Sequence, residues 1–367
     1  MSNSKLIYAA WLNAIEGIGA RRYDEICRRF GSPQEVFENA TRQELLKIPS
    51  LGERIAESIL EHRTQQALDS IEKDLMEQDA RVYLREDEGY PAILREIADP
   101  PPILYVRGNL SFEGLRMLAM VGTRHPTRYG RDMAYRLAQE LGEQGITVVS
   151  GLARGIDACC HAGALAGDGT TIAVLGCGVD VVYPAENRRL YQQIQERGLV
   201  ISDYHFGTKP IGAHFPARNR IISGLSRGTV VVESKIKGGS LITAAYALEQ
   251  NRDVFAVPGN INQETAKGTN ALIADGAKMV QGAHSILEEY PDWGGAFQPK
   301  AGSKMPDLQQ LEPDERRIVQ LLLEGELPFD SLMGQMGMTA GSLGAVLTIL
   351  EIKGIIKQLP GRIYCIS

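Results

Sequence analysis

The chain has 367 residues, 44% hydrophobic and 23% charged, with a formal net charge of −6. That length and balance fit a folded protein of two or three domains with a sizeable core, and argue against a disordered chain or one coated in positive charge, so any polyanion site must be local. No apolar run is long enough to span a bilayer, and "MSNSKLIYAAWLNAIEG" lacks the pattern of a leader, so a cytoplasmic protein with no membrane contact is expected.

Residues 1–79 carry helical spacing throughout, as in "LIYAAWLNAI" and "RIAESILEHRTQQALDSIEKDL". Two stretches, Ile15–Arg22 (IEGIGARR) and Ile48–Ile55 (IPSLGERI), resemble the turns of helix-hairpin-helix modules, in which glycine amides at a helix start receive a DNA phosphate. The second has Ser50 where the first has Gly17, and is less free to take positive φ. Cys27, Cys159, Cys160, Cys177 and Cys365 show no CxxC spacing, so neither a zinc site nor a disulfide framework is expected.

Over residues 80–290 the pattern changes to short β-rich runs separated by helical stretches: RVYL, ILYVRG, MLAMVG, ITVVSG, TIAVLG, GLVIS, GTVVVE and DVFAVPG. Most are apolar throughout, as strands covered on both faces are, so an open α/β domain with a mainly parallel sheet is predicted. Several strands end in glycine where a helix begins, and in such sheets the carboxyl ends of the strands bound the ligand crevice. Gly122 precedes Thr123 and Arg124. Gly151 and Gly155 flank Arg154, and Gly238, Gly239 and Ser240 precede another helix. Free amides at these helix starts can seat an anion. None of the turns is a GxGxxG or a GxxxxGK[ST], so no dinucleotide or nucleotide cofactor is expected.

Local charge points the same way. From His205 to Ser240 the basic residues are Lys209, Arg218, Arg220, Arg227, Lys235 and Lys237, against Glu233 alone. Guanidiniums pair bidentately with phosphate oxygens, and beside glycine amides they can cradle a phosphate track; the competing reading pairs Arg218 and Arg220 with Glu233, Asp203 or Asp157 inside the fold.

Residues 291–311 read as a linker rich in Pro, Gly and Lys. Residues 312–367 read as three helices and a hairpin, a winged-helix module. Its last helical run, "TAGSLGAVLTILEIKG", carries only Lys353 and no Arg, Asn or Gln to read base edges, so it is expected to be a protein-contact or structural module.

The blocks GTRHPTRYG, SGLARGIDACCHAGAL, AVLGCGVDVVYPAENRRL, FPARNRIISGLS, SLITAAYALEQNRDVFAVPG and GTNALIADGA, with the lead-in GYPAILREIADPPPILYVRGN, resemble in order those of the DNA processing protein A family (DprA/Smf) over about residues 87–280. The resemblance implies an extended Rossmann-like domain that binds single-stranded DNA, forms homodimers and loads the RecA recombinase onto incoming DNA in natural transformation. It places Arg124 in the DNA pocket and the family's RNR block on Arg218, Asn219 and Arg220. The family commonly has Ser-Gly-Ser before LITA, where this chain has Gly238-Gly239-Ser240.

The expected DNA contacts are therefore Arg124, Arg218, Asn219, Arg220, Lys235 and Lys237, with Gly122, Gly151, Gly239 and Ser240 and with Arg154 and Lys209 as further cations. Tyr129, Tyr183 and Phe215 offer stacking faces. A narrow pocket at strand ends suits a single strand better than a duplex. The alternative is a nucleotide-processing enzyme like the lysine-decarboxylase-like phosphoribohydrolases, with Asp157, His161, Asp180 or Glu233 as acid or base. The PGGxGTxxE block of those enzymes is missing, and no catalytic residue or metal site is expected.

Overall fold

The computed structural model describes residues 3–293, 311–323, 325–359 and 361–366, so most of the expected linker lies outside the described residues. The chain divides into two compact units, Met1–Gln298 and Pro299–Ser367.

The first unit opens with six helices: α1 Asn3–Ala14, α2 Ala20–Phe30, α3 Pro33–Asn39, α4 Arg42–Leu45, α5 Glu53–Glu61 and α6 Gln65–Glu77. Ser32, Thr41 and Thr64 cap α3, α4 and α6 by accepting an amide three residues on. The two hairpins are joined through one side chain: Arg22 donates to the Gly17 carbonyl at 2.6 Å and to the Ser50 carbonyl at 3.0 Å. Gly17 has φ +88°, whereas Ser50 is not among the residues of positive φ, as the sequence difference predicts.

This helical segment does not stand apart from the sheet that follows. Trp11, Leu12, Ile26 and Ile59 share a core with Leu84, Ile103, Tyr105 and Phe206, and Arg85 grips Asp24 with two bonds of 2.9 and 2.7 Å.

Nine strands form one sheet: β1 Arg81–Leu84, β2 Ile103–Arg107, β3 Arg116–Val121, β4 Ile146–Ser150, β5 Thr171–Val174, β6 Leu199–Ser202, β7 Gly228–Val231, β8 Asp253–Ala256 and β9 Lys278–Met279. Their order is β1-β2-β6-β5-β4-β3-β7-β8-β9. Pairing is parallel from β6 to β9, and β2 is antiparallel to both β1 and β6. The central strands β4 to β7 are buried at every residue, which is why they read as unbroken apolar runs. β9 has two residues, too few to leave a periodic signal in the sequence.

The helices after β1 are α7 Ala92–Arg95, α8 Arg128–Glu143, α9 Ile156–Ala166, α10 Arg188–Arg197, α11 His214–Gly224, α12 Gly239–Glu249, α13 Lys267–Ala274 and α14 Ala283–Leu287. Connections leave β3 toward β4 on one side and reach β7 on the other, so the strand order reverses at β3 and the crevice of a doubly wound sheet lies at the carboxyl ends beside it.

The second unit holds α15 Pro313–Leu323, α16 Phe329–Met336 and α17 Ala340–Ile352, with β10 Leu327–Pro328, β11 Ile356–Leu359 and β12 Ile363–Ile366 in the order β10-β12-β11. The expected hairpin is present and gains a third strand from β10. Lys353 is bound to Glu315 at 2.6 and 2.8 Å, so the one cation of the α17 run is engaged inside the module.

No single helix among the described residues is long and apolar enough to cross a membrane. Cys27, Cys159, Cys160 and Cys177 form no disulfide, and no cluster of three or more His, Cys, Asp or Glu among the described residues could hold a metal.

Candidate nucleic-acid interface

At the ends of β3, β4 and β5 the chain leaves three loops around a cavity of about 130 Å³. Arg124 and His125 come from the first loop, Gly151, Ala153 and Arg154 from the second, and Gly176 and Cys177 from the third; Tyr183, Phe215 and Arg218 complete the wall. Its lining includes three arginines and a histidine and no carboxylate.

Arg124 is exposed and has no ion-pair partner among the described residues; its guanidinium lies 5.4 Å from the centroid of the Phe215 ring. Tyr183 packs on the same ring, centroids 5.5 Å apart. Phe215 thus contacts both a cation and a second aromatic ring, an arrangement able to accept both a phosphate and a stacked ring. Of the aromatics named from sequence, Tyr183 and Phe215 reach this cavity. Tyr129 lies in the first turn of α8, with its hydroxyl on the Pro258 carbonyl at 3.0 Å.

Arg218 forms the floor. It is 4% exposed and donates through Nη1 to the Gly151 carbonyl at 2.8 Å and to the Val174 carbonyl, while Nε donates to Asn219 Oδ1 at 3.3 Å. Burial pushes its pKa down, with nearby Asp157 opposing that shift. The guanidinium supplies positive charge to a dry floor, and its hydrogen bonds go largely to strand-end carbonyls instead of forming a free fork. Burial raises the pKa of Asp157, countered by Arg218.

The Gly151–Arg154 loop is held by side chains at almost every polar group. Leu152, at φ +54°, donates its amide to His161 Nε2 at 3.3 Å, and its carbonyl accepts from Asn187 at 2.9 Å. Asp157 accepts the Ala153 amide at 3.4 Å. His161 is fully buried and its other ring nitrogen meets Thr171 Oγ1 at 2.6 Å. Burial, aided by Arg218, pushes its pKa down to about 3. The ring is neutral, so Nε2 accepts from Leu152 and Nδ1 carries the proton toward Thr171, whose hydroxyl donates in turn to the Val148 carbonyl at 2.7 Å.

Several expectations change here. The start of α9 is not an open anion seat, because Ile156 donates its amide to the Thr123 carbonyl at 3.2 Å and Asp157 occupies the first turn. Gly122 serves packing, since a Cβ there would lie 2.5 Å from Ile156. Arg220 does not face the cavity: it is buried against Asp99 at 3.1 Å and Asp203 at 2.8 Å. The internal pairing weighed from sequence is the arrangement found for Arg220.

Arg154 reaches the rim but is engaged by Glu186 through two hydrogen bonds. Lys209, Lys235 and Lys237 are exposed, and with Gly239 and Ser240 they line neither this cavity nor the one on the other side of β3. Ser240 donates to Ser234 Oγ at 2.9 Å, and a Cβ at Gly238 would sit 2.2 Å from the same oxygen, so a serine at 238 would require Ser234 to move.

Asp180, named as an acid or base, accepts the Gly207 amide at 3.0 and 2.9 Å and braces a loop. Asn187, which pins Leu152, was not singled out from sequence. Its polar side chain beside a helix start reads as an ordinary cap, and only the three-dimensional loop shows otherwise.

Fold and site together define an open, doubly wound Rossmann-like protein with a cationic crevice at the point where the strand order reverses, followed by a winged helix. Residues 81–291 match the family described as DNA recombination-mediator protein A, and residues 302–362 match the DprA winged helix domain. Protein Smf of Synechocystis is 33% identical over 99% of both chains. DNA processing protein DprA of Streptococcus pneumoniae is 45% identical over 56% of this chain and 72% of its own. The solved structure of the S. pneumoniae protein superposes with a TM-score of 0.65 at 35% identity, covering 77% of this chain and 96% of that one. A Helicobacter pylori DNA processing protein A structure, described for its single-stranded DNA binding mode, gives a TM-score of 0.53 at 30% identity over 58% of this chain and 96% of that one. The chain belongs to the DNA recombination-mediator protein A family, that of DNA processing protein A.

Proposed function

We propose that this protein binds single-stranded DNA in the crevice between the β3, β4 and β5 loops, protects it, and passes it to the RecA recombinase in the cytoplasm during transformation or recombination. The observation that carries this reading is the exposed Arg124, without an ion-pair partner among the described residues, stacked on Phe215 above the buried charge of Arg218, in a lining to which no described carboxylate contributes. A narrow concave site with an aromatic wall accommodates a flexible backbone and an unstacked base, whereas a duplex keeps its bases inside the helix. Lys209, Lys235 and Lys237, exposed on neighbouring loops, extend a path for the backbone beyond the cavity. Two protomers side by side would lengthen that path, which supports a homodimer as the working form. The relative from H. pylori, described as a binder of single-stranded DNA, supports the same reading.

The acid and base candidates favour binding over catalysis, because His161, Asp157 and Asp180 are each engaged with a backbone amide. A salt titration tests the proposal. Oligothymidine should bind more tightly than a duplex of equal length, with log affinity falling linearly in log salt as counterions are released. Equal affinity for both forms, or none for either, contradicts it.

A further inference from the structure

A second cavity, of about 380 Å³, opens on the opposite side of the loop that carries Arg124. Thr127 and Tyr129 form one wall, Val232 and Glu233 at the end of β7 the base, and Val257 to Asn260 with Gln263, Ala266 and Thr269 the other wall. Its volume falls within the range of small-molecule sites. Its electrostatics are the reverse of its neighbour's, for among the described residues Glu233 is the one charged group in the lining, with no Lys, Arg or His.

The carboxylate is built in. Glu233 is 3% exposed; Oε2 accepts the Thr127 amide at 2.9 Å, and Oε1 accepts the Thr265 hydroxyl. Gly130 makes room for it, since a Cβ at that position would lie 1.8 Å from Oε2. The far wall is fixed by Asn270, which accepts the Gly259 amide at 3.1 Å and donates to the Gly259 carbonyl at 2.9 Å. A carboxylate oxygen can accept more than one hydrogen bond, so Glu233 retains acceptor capacity and has no donor capacity. Tyr129, 49% exposed and held by its hydroxyl on the Pro258 carbonyl, supplies an aromatic ring to the cavity wall.

A phosphate is repelled by this lining. The groups that fit are flat, uncharged and rich in adjacent N–H donors. We propose that the Glu233 cavity is a base-selective subsite that takes the edge of a guanine-type nucleobase, stacked on Tyr129, from the strand whose phosphates lie at Arg124. The last clause rests on the single-strand reading above; the recognition of the base does not. Arg124 lies in the short loop that leads into α8 and Tyr129 in the first turn of that helix, so a strand held at the first has a neighbouring nucleotide within reach of the second.

Free nucleosides test the subsite without the phosphate crevice. Saturation-transfer NMR with guanosine, adenosine, cytidine and thymidine should show guanosine binding about tenfold or more tightly than the others, as a matched pair of hydrogen bonds discriminates. Glu233→Gln should abolish that preference, and Tyr129→Ala, a change at a half-exposed residue that leaves the core intact, should weaken guanosine. Failure of guanosine to saturate, equal binding of all four, or indifference to Tyr129→Ala overturns the proposal. Tighter, Glu233-dependent binding of agmatine would overturn it too, by assigning the cavity to a basic side chain. Guanosine binding without oligothymidine binding would retain the subsite and discard the single-strand reading; the converse result would do the opposite.

Discussion

Arg218 and Arg220 stand two residues apart on α11 and their guanidiniums go to opposite sides: Arg218 to the Gly151 carbonyl under the crevice, Arg220 to Asp99 and Asp203. A helix turns about 200° in two residues, so such neighbours cannot share a face. The pair read as one RNR unit in sequence is thus one group at the cavity floor and one internal ion-pair node, and substitutions should separate them.

Arg220→Ala leaves Asp203, largely buried, without its partner. Breaking a buried ion pair from one side costs about 3 kcal/mol or more. Denaturant unfolding should show a loss of that order, with DNA affinity per folded molecule nearly unchanged. A stable Arg220→Ala protein that has lost DNA binding would show that Arg220 acts on the strand directly.

Gly151 lies between two side chains, where a Cβ would meet Arg218 Nη2 at 2.5 Å and Asp157 Oδ2 at 2.7 Å. Gly151→Ala must push the guanidinium or the carboxylate aside. Overpacking of this kind costs about 1–3 kcal/mol. Thermal unfolding should register it, and single-strand affinity should fall as the cavity floor shifts; unchanged values for both would contradict the packing described.

His161 predicts a pH dependence with a definite sign. Its folded pKa, about 3, lies below its ordinary value near 6.5, so between these two values the unfolded chain binds a proton that the native state refuses. Its contribution is complete above pH 6.5 and is lost as pH falls toward 3, a swing on the order of a few kcal/mol. His205, also lowered by burial, acts in the same direction, whereas Asp157, raised by burial, acts in the opposite one. Comparing wild type with His161→Gln isolates one group: the variant should be less stable at pH 7, and the gap should close on acidification. A constant gap would contradict a neutral buried imidazole.

Much of this molecule was legible in its sequence. Unbroken apolar runs such as ITVVSG and TIAVLG gave away strands buried on both faces, and Thr127 marks the start of α8 by accepting the Gly130 amide. Arg124 was legible as a cation at a strand end. What periodicity cannot show is direction across space. It could not tell that Arg220 turns to Asp99 and Asp203, that Asn187 reaches back to Leu152, or that Glu233 caps a helix more than a hundred residues earlier at Thr127. Glycines marked the crevice, but Gly122 and Gly151 are required by neighbouring side chains as much as by a ligand. The helical segment was visible as helices, yet its shared core with Tyr105 and Phe206 depends on contacts that no local pattern encodes.

The most direct test of the account is the affinity of Arg124→Ala for a labelled oligothymidine across a range of salt. Arg124 is exposed and makes no ion pair among the described residues, so stability should stay within about 0.5 kcal/mol of wild type. Single-strand affinity should fall about tenfold at low salt, and the slope of log affinity against log salt should lose about one phosphate contact. A folded Arg124→Ala protein with wild-type affinity and an unchanged slope would contradict the claim that this crevice holds the strand.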